Sequence, residues 1–319
     1  MTEFDFKILA PKINANHKLF FIGSCFSENI AKAMKSDKID VYSNPFGVIF
    51  HPEAILNVLK KSLEGYVYKE SDFFKWDNYW FCYEHHSELA NVNLLDYIST
   101  ANQILKTVKE TLVETDFLFI TLGSAWGYEN NGKIVANCHQ QNGNLFVKRL
   151  LNKDLIKIEF VELINQIKQI NPSINICFTV SPVRHIKDGL INNQISKSTL
   201  ILLSHELCLM FKAVFYFPSY EFVIDHLRDY SYYKIDGIHP NNEAVLKTYQ
   251  LFKSFFFDTD LQKRTETWNG LKLSMEHRTF RPLSESNKKF KLNLIRDLQL
   301  FSEKYQVNID QELLKFQIG

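Results

Sequence analysis

The sequence predicts an α/β protein: a three-layer α/β/α sandwich of the flavodoxin-like kind on a five-stranded, mainly parallel sheet. Three observations lead there. Five short apolar runs each end in turn residues, and continuous rather than alternating apolar character suits strands covered on both faces. Segments with helical periodicity lie between most of these runs, and that alternation implies right-handed parallel crossovers. The chain has 319 residues and is 45% hydrophobic, enough for one large domain with additions or for two domains.

Taken in order, the predicted strands are Leu19 to Ile22, ending at Gly23; Ile39 to Tyr42, ending at Ser43-Asn44-Pro45; Phe117 to Leu122, ending at Gly123; Ile174 to Val180, ending at Ser181-Pro182; and Val214 to Phe217, ending at Pro218-Ser219. The predicted helices are Phe26 to Lys35, Pro52 to Ser62, Leu94 to Leu112, Leu155 to Ile170 and Ser198 to Phe211. Pro52 suits a first helical position. Two regions break the rhythm. Residues 66–91 are aromatic and polar, with Trp76, Trp80, Glu84, His85 and His86, and are expected as an insertion, either a hairpin or lid or simply a packed surface excursion. The stretch from Glu129 to Asn144 begins as a hairpin about Asn131-Gly132. After Asp258 the chain becomes charged and helical, and Leu292 to Leu314 reads as one or two amphipathic helices packed on the rest. The expected division is 1–257 as the main domain and 258–319 as a helical extension.

Charge and cysteine usage narrow the function classes. The formal net charge is +1 with no dense Lys/Arg stripe, which argues against nucleic acid as the main partner. The most apolar stretch, Leu200 to Phe217, contains His205, Glu206 and Lys212, so a buried helix and strand are expected rather than a membrane span. Met1 to Lys18 lacks the pattern of a signal peptide. Five scattered cysteines, Cys25, Cys82, Cys138, Cys177 and Cys208, form no CxxC and fit a reduced, cytoplasmic chain.

Two blocks can carry chemistry. Gly23-Ser24-Cys25 sits where the first strand turns into a helix. A nucleophile there is exposed at the sheet edge, faces a helix N-terminus that favours negative charge, and a thiol there can have a lowered pKa. Equally, Ser24 can cap the helix and Cys25 can pack. Late in the chain, "YYKIDGIHPNN" places Asp236 three residues before His239. On a tight turn the carboxylate can reach the imidazole and fix its tautomer, while the imidazole removes a nucleophile's proton. Alternatively, Asp236 only caps backbone groups. His85, His86, Cys138 and His139 are of metal-ligand type, but neither pair has the i, i+4 spacing of a helical zinc motif, so no metal is expected.

Together the blocks resemble the SGNH/GDSL hydrolase superfamily, whose members carry an early Gly-Asp-Ser block and a late Asp-x-x-His block. More closely, the chain resembles the GSCFA family through Gly23-Ser24-Cys25-Phe26-Ser27, with Ser in place of the final Ala. Further blocks share the resemblance: "NPFG" (Asn44 to Gly47), "TLGSAWGY" (Thr121 to Tyr128), "ANCHQ" (Ala136 to Gln140), "SPVRHIKDG" (Ser181 to Gly189) and "YFPSYEFVIDHLRDY" (Tyr216 to Tyr230). The resemblance spans about residues 18 to 245 and implies an SGNH-type sandwich. Anchored on Gly23, Ser24 stands at the superfamily's Asp and Cys25 at its Ser nucleophile; register favours Cys25 and family chemistry favours the hydroxyl of Ser24. The superfamily's Gly-x-Asn-Asp block becomes Gly123-Ser124-Ala125-Trp126, so an oxyanion side chain worth about 3–4 kcal/mol is missing. Its candidate replacements are Asn44, Ser124, His139 and the backbone N–H groups of Cys25 and Gly47. Arg184 and His185 should lie on the same rim, where Arg184 can clamp an anionic substrate group or brace its loop against Asp188 or Asp229.

The resemblance implies an esterase acting on a small-molecule or glycan ester without a cofactor, through an acyl-enzyme on Cys25 or Ser24 with His239 as base and Asp236 orienting it. An acyltransferase on the same site, and a non-catalytic glycan- or small-molecule-binding protein, are the alternatives.

Overall fold

The computed structural model describes residues 6, 10–277 and 283–317. In chain order the main elements are β1 (Leu19–Gly23), α1 (Cys25–Ser36), β2 (Tyr42–Ser43), α2 (Pro52–Glu64), β3 (Phe74–Trp76), β4 (Tyr79–Phe81), α3 (Leu94–Glu114), β5 (Phe117–Leu122), β6 (Trp126–Asn130), β7 (Lys133–Val135), β8 (Val147–Leu150), α4 (Lys153–Ile170), β9 (Asn175–Val180), α5 (Leu190–Met210), β10 (Val214–Phe217), α6 (Ser219–Glu221), α7 (Asn242–Phe256), α8 (Thr259–Glu276), α9 (Glu285–Tyr305) and α10 (Asp310–Gln317).

The central sheet has the order β10-β9-β5-β1-β2, and every pair in it is parallel. Counted along the chain, its five strands stand 2-1-3-4-5, the flavodoxin-like order, with the switch point between β1 and β5. The apolar runs follow from burial on both faces. In β1, Phe20 and Ile22 pack into one cluster with α2 to α5, whereas Leu19 and Phe21 pack into another with α1 and α7. β5 divides likewise: Leu118, Ile120 and Leu122 to one side, Phe117 and Phe119 to the other.

The helices begin where side chains can satisfy their first N–H groups. Ser24 caps α1, Asn93 caps α3, Asn152 caps α4 and Asn241 caps α7. Pro52 opens α2, and Gly65 closes it in the left-handed region at φ +70°. On the α1 side of the sheet an aromatic cluster forms the seal. Phe252 of α7 meets Phe21, Phe119, Phe217, Phe256 and Phe257, with ring centroids 4.6 to 6.3 Å apart.

Three expectations change. The second strand is shorter than Ile39 to Tyr42: only Tyr42 and Ser43 pair with β1. Lys38 adopts φ +59° and the Ile39 N–H returns to the Met34 carbonyl, so residues 38–39 finish α1 instead of pairing. α5 begins at Leu190 rather than Ser198, two turns early. The hairpin at Asn131-Gly132, both at positive φ, gains a third strand, because β8 pairs with the other edge of β6. The insertion contains a hairpin, β3–β4, turning at Asp77-Asn78, and it packs on the loop after β2: the His86 N–H bonds the Phe46 carbonyl at 2.9 Å.

Beyond residue 258, α8 to α10 enclose a small core of Trp268, Leu294, Leu298, Phe301 and Ile309. These helices grip the C-terminal end of α1. Trp268 Nε1 donates to the Ser36 carbonyl at 2.7 Å, Arg264 donates to the Lys38 carbonyl, and Lys272 pairs with the buried Asp37 at 2.8 Å. Among the described residues no helix is long and apolar enough to cross a membrane.

Truncating the fully buried Phe252 to Ala should destabilise the protein by about 3–5 kcal/mol in urea unfolding, because a ring-sized void opens against the sheet. A loss below about 1 kcal/mol would mean that α7 does not seal this face.

Candidate active site

The C-terminal ends of the parallel strands gather the loops that the sequence singled out, as ligand sites in open α/β sheets require. At the end of β1, Gly23 takes φ +139°, and a Cβ there would lie 2.2 Å from the Thr121 carbonyl oxygen of β5. Only glycine lets the two strands approach this closely. The next N–H, that of Ser24, bonds that same carbonyl at 3.1 Å, and α1 starts at once. Ser24 is 3% exposed, and its hydroxyl accepts the Phe26 N–H at 3.3 Å, the capping role. Cys25 stands half-buried at the first helical position, where its N–H has no intrahelical acceptor.

Burial raises the Cys25 pKa above its ordinary value, helped slightly by Glu28. Its own N–H and the ammonium groups of Lys197 and Lys234 pull the other way without winning. The lowered pKa that a helix start can give a thiol is therefore overridden by desolvation.

After β2, Asn44 (φ +43°) folds its side chain back onto β1. Its Oδ1 accepts the Gly23 N–H at 2.8 Å, which leaves Nδ2 buried and without a partner among the described residues. Gly47 closes this turn, its N–H bonded to the Asn44 carbonyl at 2.8 Å; a Cβ on it would meet the His86 side chain at 2.3 Å. The Gly123 N–H is bonded to the Phe50 carbonyl at 2.8 Å. Ser124 points inward, accepting the Trp126 N–H at 3.0 Å beside Ser196. His139 uses both ring nitrogens, one with the Cys82 carbonyl at 2.9 Å and the other with Ser87 at 2.8 Å, and so ties the insertion to the segment after β7. Of the candidate oxyanion donors, the Cys25 N–H and Asn44 Nδ2 are left without an acceptor among the described residues.

The late block forms a closed turn before α7. The Lys234 N–H bonds the His239 carbonyl at 2.8 Å, and Gly237 supplies φ +62° at its tip. Asp236 accepts the N–H groups of Ile238 and His239 at 2.8 and 3.0 Å through Oδ1, and its Oδ2 lies 2.8 Å from His239 Nδ1. The bond to His239 and these two N–H groups push the Asp236 pKa down to about 2, so the carboxylate is ionised at neutral pH. The Arg184 N–H bonds the Ile238 carbonyl at 3.0 Å, which fixes the loop after β9 against this turn. His185 lies with its ring 5.4 Å from Phe50, and burial lowers its pKa to about 4 with nearby Lys197 adding to the effect, so it stays neutral.

These distances bring Asp236, His239, Arg184 and His185 together, and Gly23, Ser24, Cys25 and Asn44 together. The link between the groups is electrostatic: Lys234, in the His239 turn, acts on the Cys25 thiol. Among the described residues neither Cys25 Sγ nor Ser24 Oγ is hydrogen-bonded to His239. His85 instead meets Tyr97 at 3.1 Å and His86 caps the Glu88 N–H, and among the described residues no three His, Cys, Asp or Glu side chains converge as a metal site.

Residues 18–252 match the GSCFA family. The chain belongs to that family. The GSCFA tail is matched separately, residues 268–319 corresponding to the GSCFA domain protein, C-terminal domain. No curated protein matches the chain.

One central residue of this GSCFA protein escapes the motif reading. Lys197 of α5 is 0% exposed and donates to the Gly123 carbonyl at 2.6 Å and the Ser181 carbonyl at 2.7 Å, tying together the ends of β5 and β9. Burial pushes its pKa down from the usual 10.5 to about 7. A neutral amine has two N–H donors, enough for both carbonyls. The one available signal is its place in "NNQISKS", two helical turns in which Asn193, Ser196 and Lys197 are buried and Asn192, Gln194 and Ser198 are exposed.

Gly23→Ala should cost at least about 2 kcal/mol in urea unfolding, since the new methyl meets backbone rather than a yielding side chain. For Lys197, the folded pKa lies below the unfolded one, so the unfolded chain binds more protons between about pH 7 and 10.5. The burial penalty is fully present below pH 7 and is relieved as pH rises. Wild type should thus gain stability relative to Lys197→Met from pH 7 to 9. A difference that stays flat, or shrinks, would show that the buried amine does not titrate there.

Proposed function

We propose that this protein is an acyl-ester hydrolase working on the SGNH/GDSL plan, with Cys25 as nucleophile. The observation that carries this reading is the Asp236–His239 pair: an ionised carboxylate, locked by two backbone N–H groups, holds Nδ1 and leaves Nε2 as the proton-accepting face. Two features favour Cys25 over Ser24. Ser24 is buried in its capping role, whereas Cys25 is partly exposed on the free first turn of the helix.

The thiol, protonated at neutral pH, needs a base. His239 Nε2 takes its proton as sulfur attacks the ester carbonyl. The oxyanion of the tetrahedral intermediate accepts from the Cys25 N–H and from Asn44 Nδ2, which Gly23 orients through Oδ1. The imidazolium then protonates the departing alcohol, leaving an acyl thioester. Water attacks that thioester with His239 again as base, releasing the acid and restoring the thiol. A carbohydrate ester fits the superfamily plan. A reducing compartment such as the cytoplasm suits five cysteines that are all unpaired.

With 4-nitrophenyl acetate, His239→Ala and Asp236→Asn should each lower kcat/KM by about 10²–10⁴-fold. Intact-mass measurement should find the acetyl group on Cys25. Ser24→Ala should lose about 1 kcal/mol of stability with the labelling retained, and Cys25→Ala should abolish it. Wild-type rates in His239→Ala, or acetyl on Ser24, would overturn the assignment.

A further inference from the structure

A cavity of about 330 Å³ opens beside the catalytic turn, between the loop after β9, the first turns of α5 and the segment from Tyr220 to Tyr233. Arg184 joins it to the turn: its Nη1 reaches the Gly237 carbonyl at 3.4 Å, and its backbone N–H holds Ile238. The guanidinium lies against two rings, 5.4 Å from the centroid of Tyr230 and 5.5 Å from that of Tyr233. Among the described residues it is not paired with a carboxylate. Asp188 pairs with Lys148 instead, and Asp229 uses Oδ1 to accept the Ser231 N–H at 2.7 Å. Arg228, exposed on the same wall at φ +37°, likewise has no carboxylate partner among the described residues.

The rest of the wall is rich in donors. The Tyr233 hydroxyl is buried without a hydrogen-bond partner among the described residues, and burial raises its pKa to about 12, so it keeps its proton. The buried Asn193 accepts the His185 N–H on Oδ1 at 2.8 Å, which leaves its NH₂ without an acceptor among the described residues. Gln194 takes the Tyr220 hydroxyl on Oε1 at 3.0 Å and also keeps its NH₂. Against these donors stands one carboxylate, Asp229, so two guanidinium groups leave the wall with excess positive charge. Tyr220, Val223, Ile224 and Leu190 supply the apolar floor. A buried phenol without a partner among the described residues, and a guanidinium whose one acceptor is a carbonyl at 3.4 Å, are costly to desolvate unless an acceptor-rich ligand arrives.

We propose that this cavity binds an anionic group, a carboxylate or a phosphate, attached to a planar or apolar moiety of the ester that Cys25 and His239 act on. The identity of the cavity's ligand as substrate rests on the hydrolase reading; the binding of an anion does not. Arg184 faces the anion and Arg228 closes over it from the rim, while the rings and aliphatic floor hold the attached moiety.

The test uses the full chain carrying Cys25→Ala, titrated calorimetrically with benzoate, phenyl phosphate and neutral benzamide. One or both anions should bind at least tenfold more tightly than benzamide, and the tighter of the two names the group. Arg184→Met and the exposed Arg228→Met, each checked for unchanged circular dichroism, should each weaken that anion at least tenfold. Equal binding of benzamide, or undiminished binding in both variants, would overturn the proposal. In the chain with Cys25 intact, 4-acetoxybenzoate and 4-acetoxyphenyl phosphate test the link to catalysis against phenyl acetate. The ratio of anionic to neutral kcat/KM should exceed ten for the matching anion and fall at least tenfold in Arg184→Met. Anion binding with no turnover of any of these esters would refute the hydrolase reading while leaving the pocket assignment intact, whereas turnover with a ratio near one would refute the pocket's role in substrate choice.

Discussion

Where β1 ends, the backbone has room for no side chain, and the rest of the site is arranged around that fact. Gly23 lies so close to the Thr121 carbonyl that two neighbouring strands finish at one point. The chain then spends no residue on a loop: the Ser24 N–H takes that carbonyl, the Ser24 hydroxyl caps α1, and Cys25 is the first residue of the helix. The Gly23 N–H meanwhile holds Asn44 from the opposite side. Loosening this contact would displace a cap, a thiol and an amide donor together.

The core strands were legible because burial on both faces writes an unbroken apolar run, and β5 and β10 fall on the residues their runs predict. The spacing of Asp236 and His239 was legible for a local reason: a three-residue separation on a tight turn brings a carboxylate to Nδ1 wherever that turn sits in the fold. The apolar run Ile39 to Tyr42 overstates the second strand because Ile39 and Val41 are buried in the cluster with α1 rather than by a ladder. The start of α5 is hidden in the sequence because its first turns bury polar groups against the strand ends, and a hydrophobic period cannot register a polar interior. Lys197 disappeared with them.

The thiol shows how competing physical effects are ranked by position. A helix start favours the thiolate, and two ammonium groups nearby add to that, yet partial burial outweighs all three. Such a sulfur is quiet until a base is delivered to it, which protects an unpaired cysteine from random oxidation. Asp236 shows the reverse ordering. Exposed and met by two N–H groups and an imidazole, it is held firmly in its charged form.

α1 is twelve residues long, about 18 Å of rod. One end carries the sulfur; the other is clasped by Trp268, Lys272 and Arg264 from the tail, around a carboxylate, Asp37, that is buried at the joint. A protein shortened after α7 would leave that carboxylate with Tyr249 and Lys253 alone and bare the Ser36 carbonyl. The tail thus behaves as a buttress: among the described residues it touches neither Cys25 nor the Asp236–His239 pair, and it sets the footing of the beam on which the sulfur is mounted.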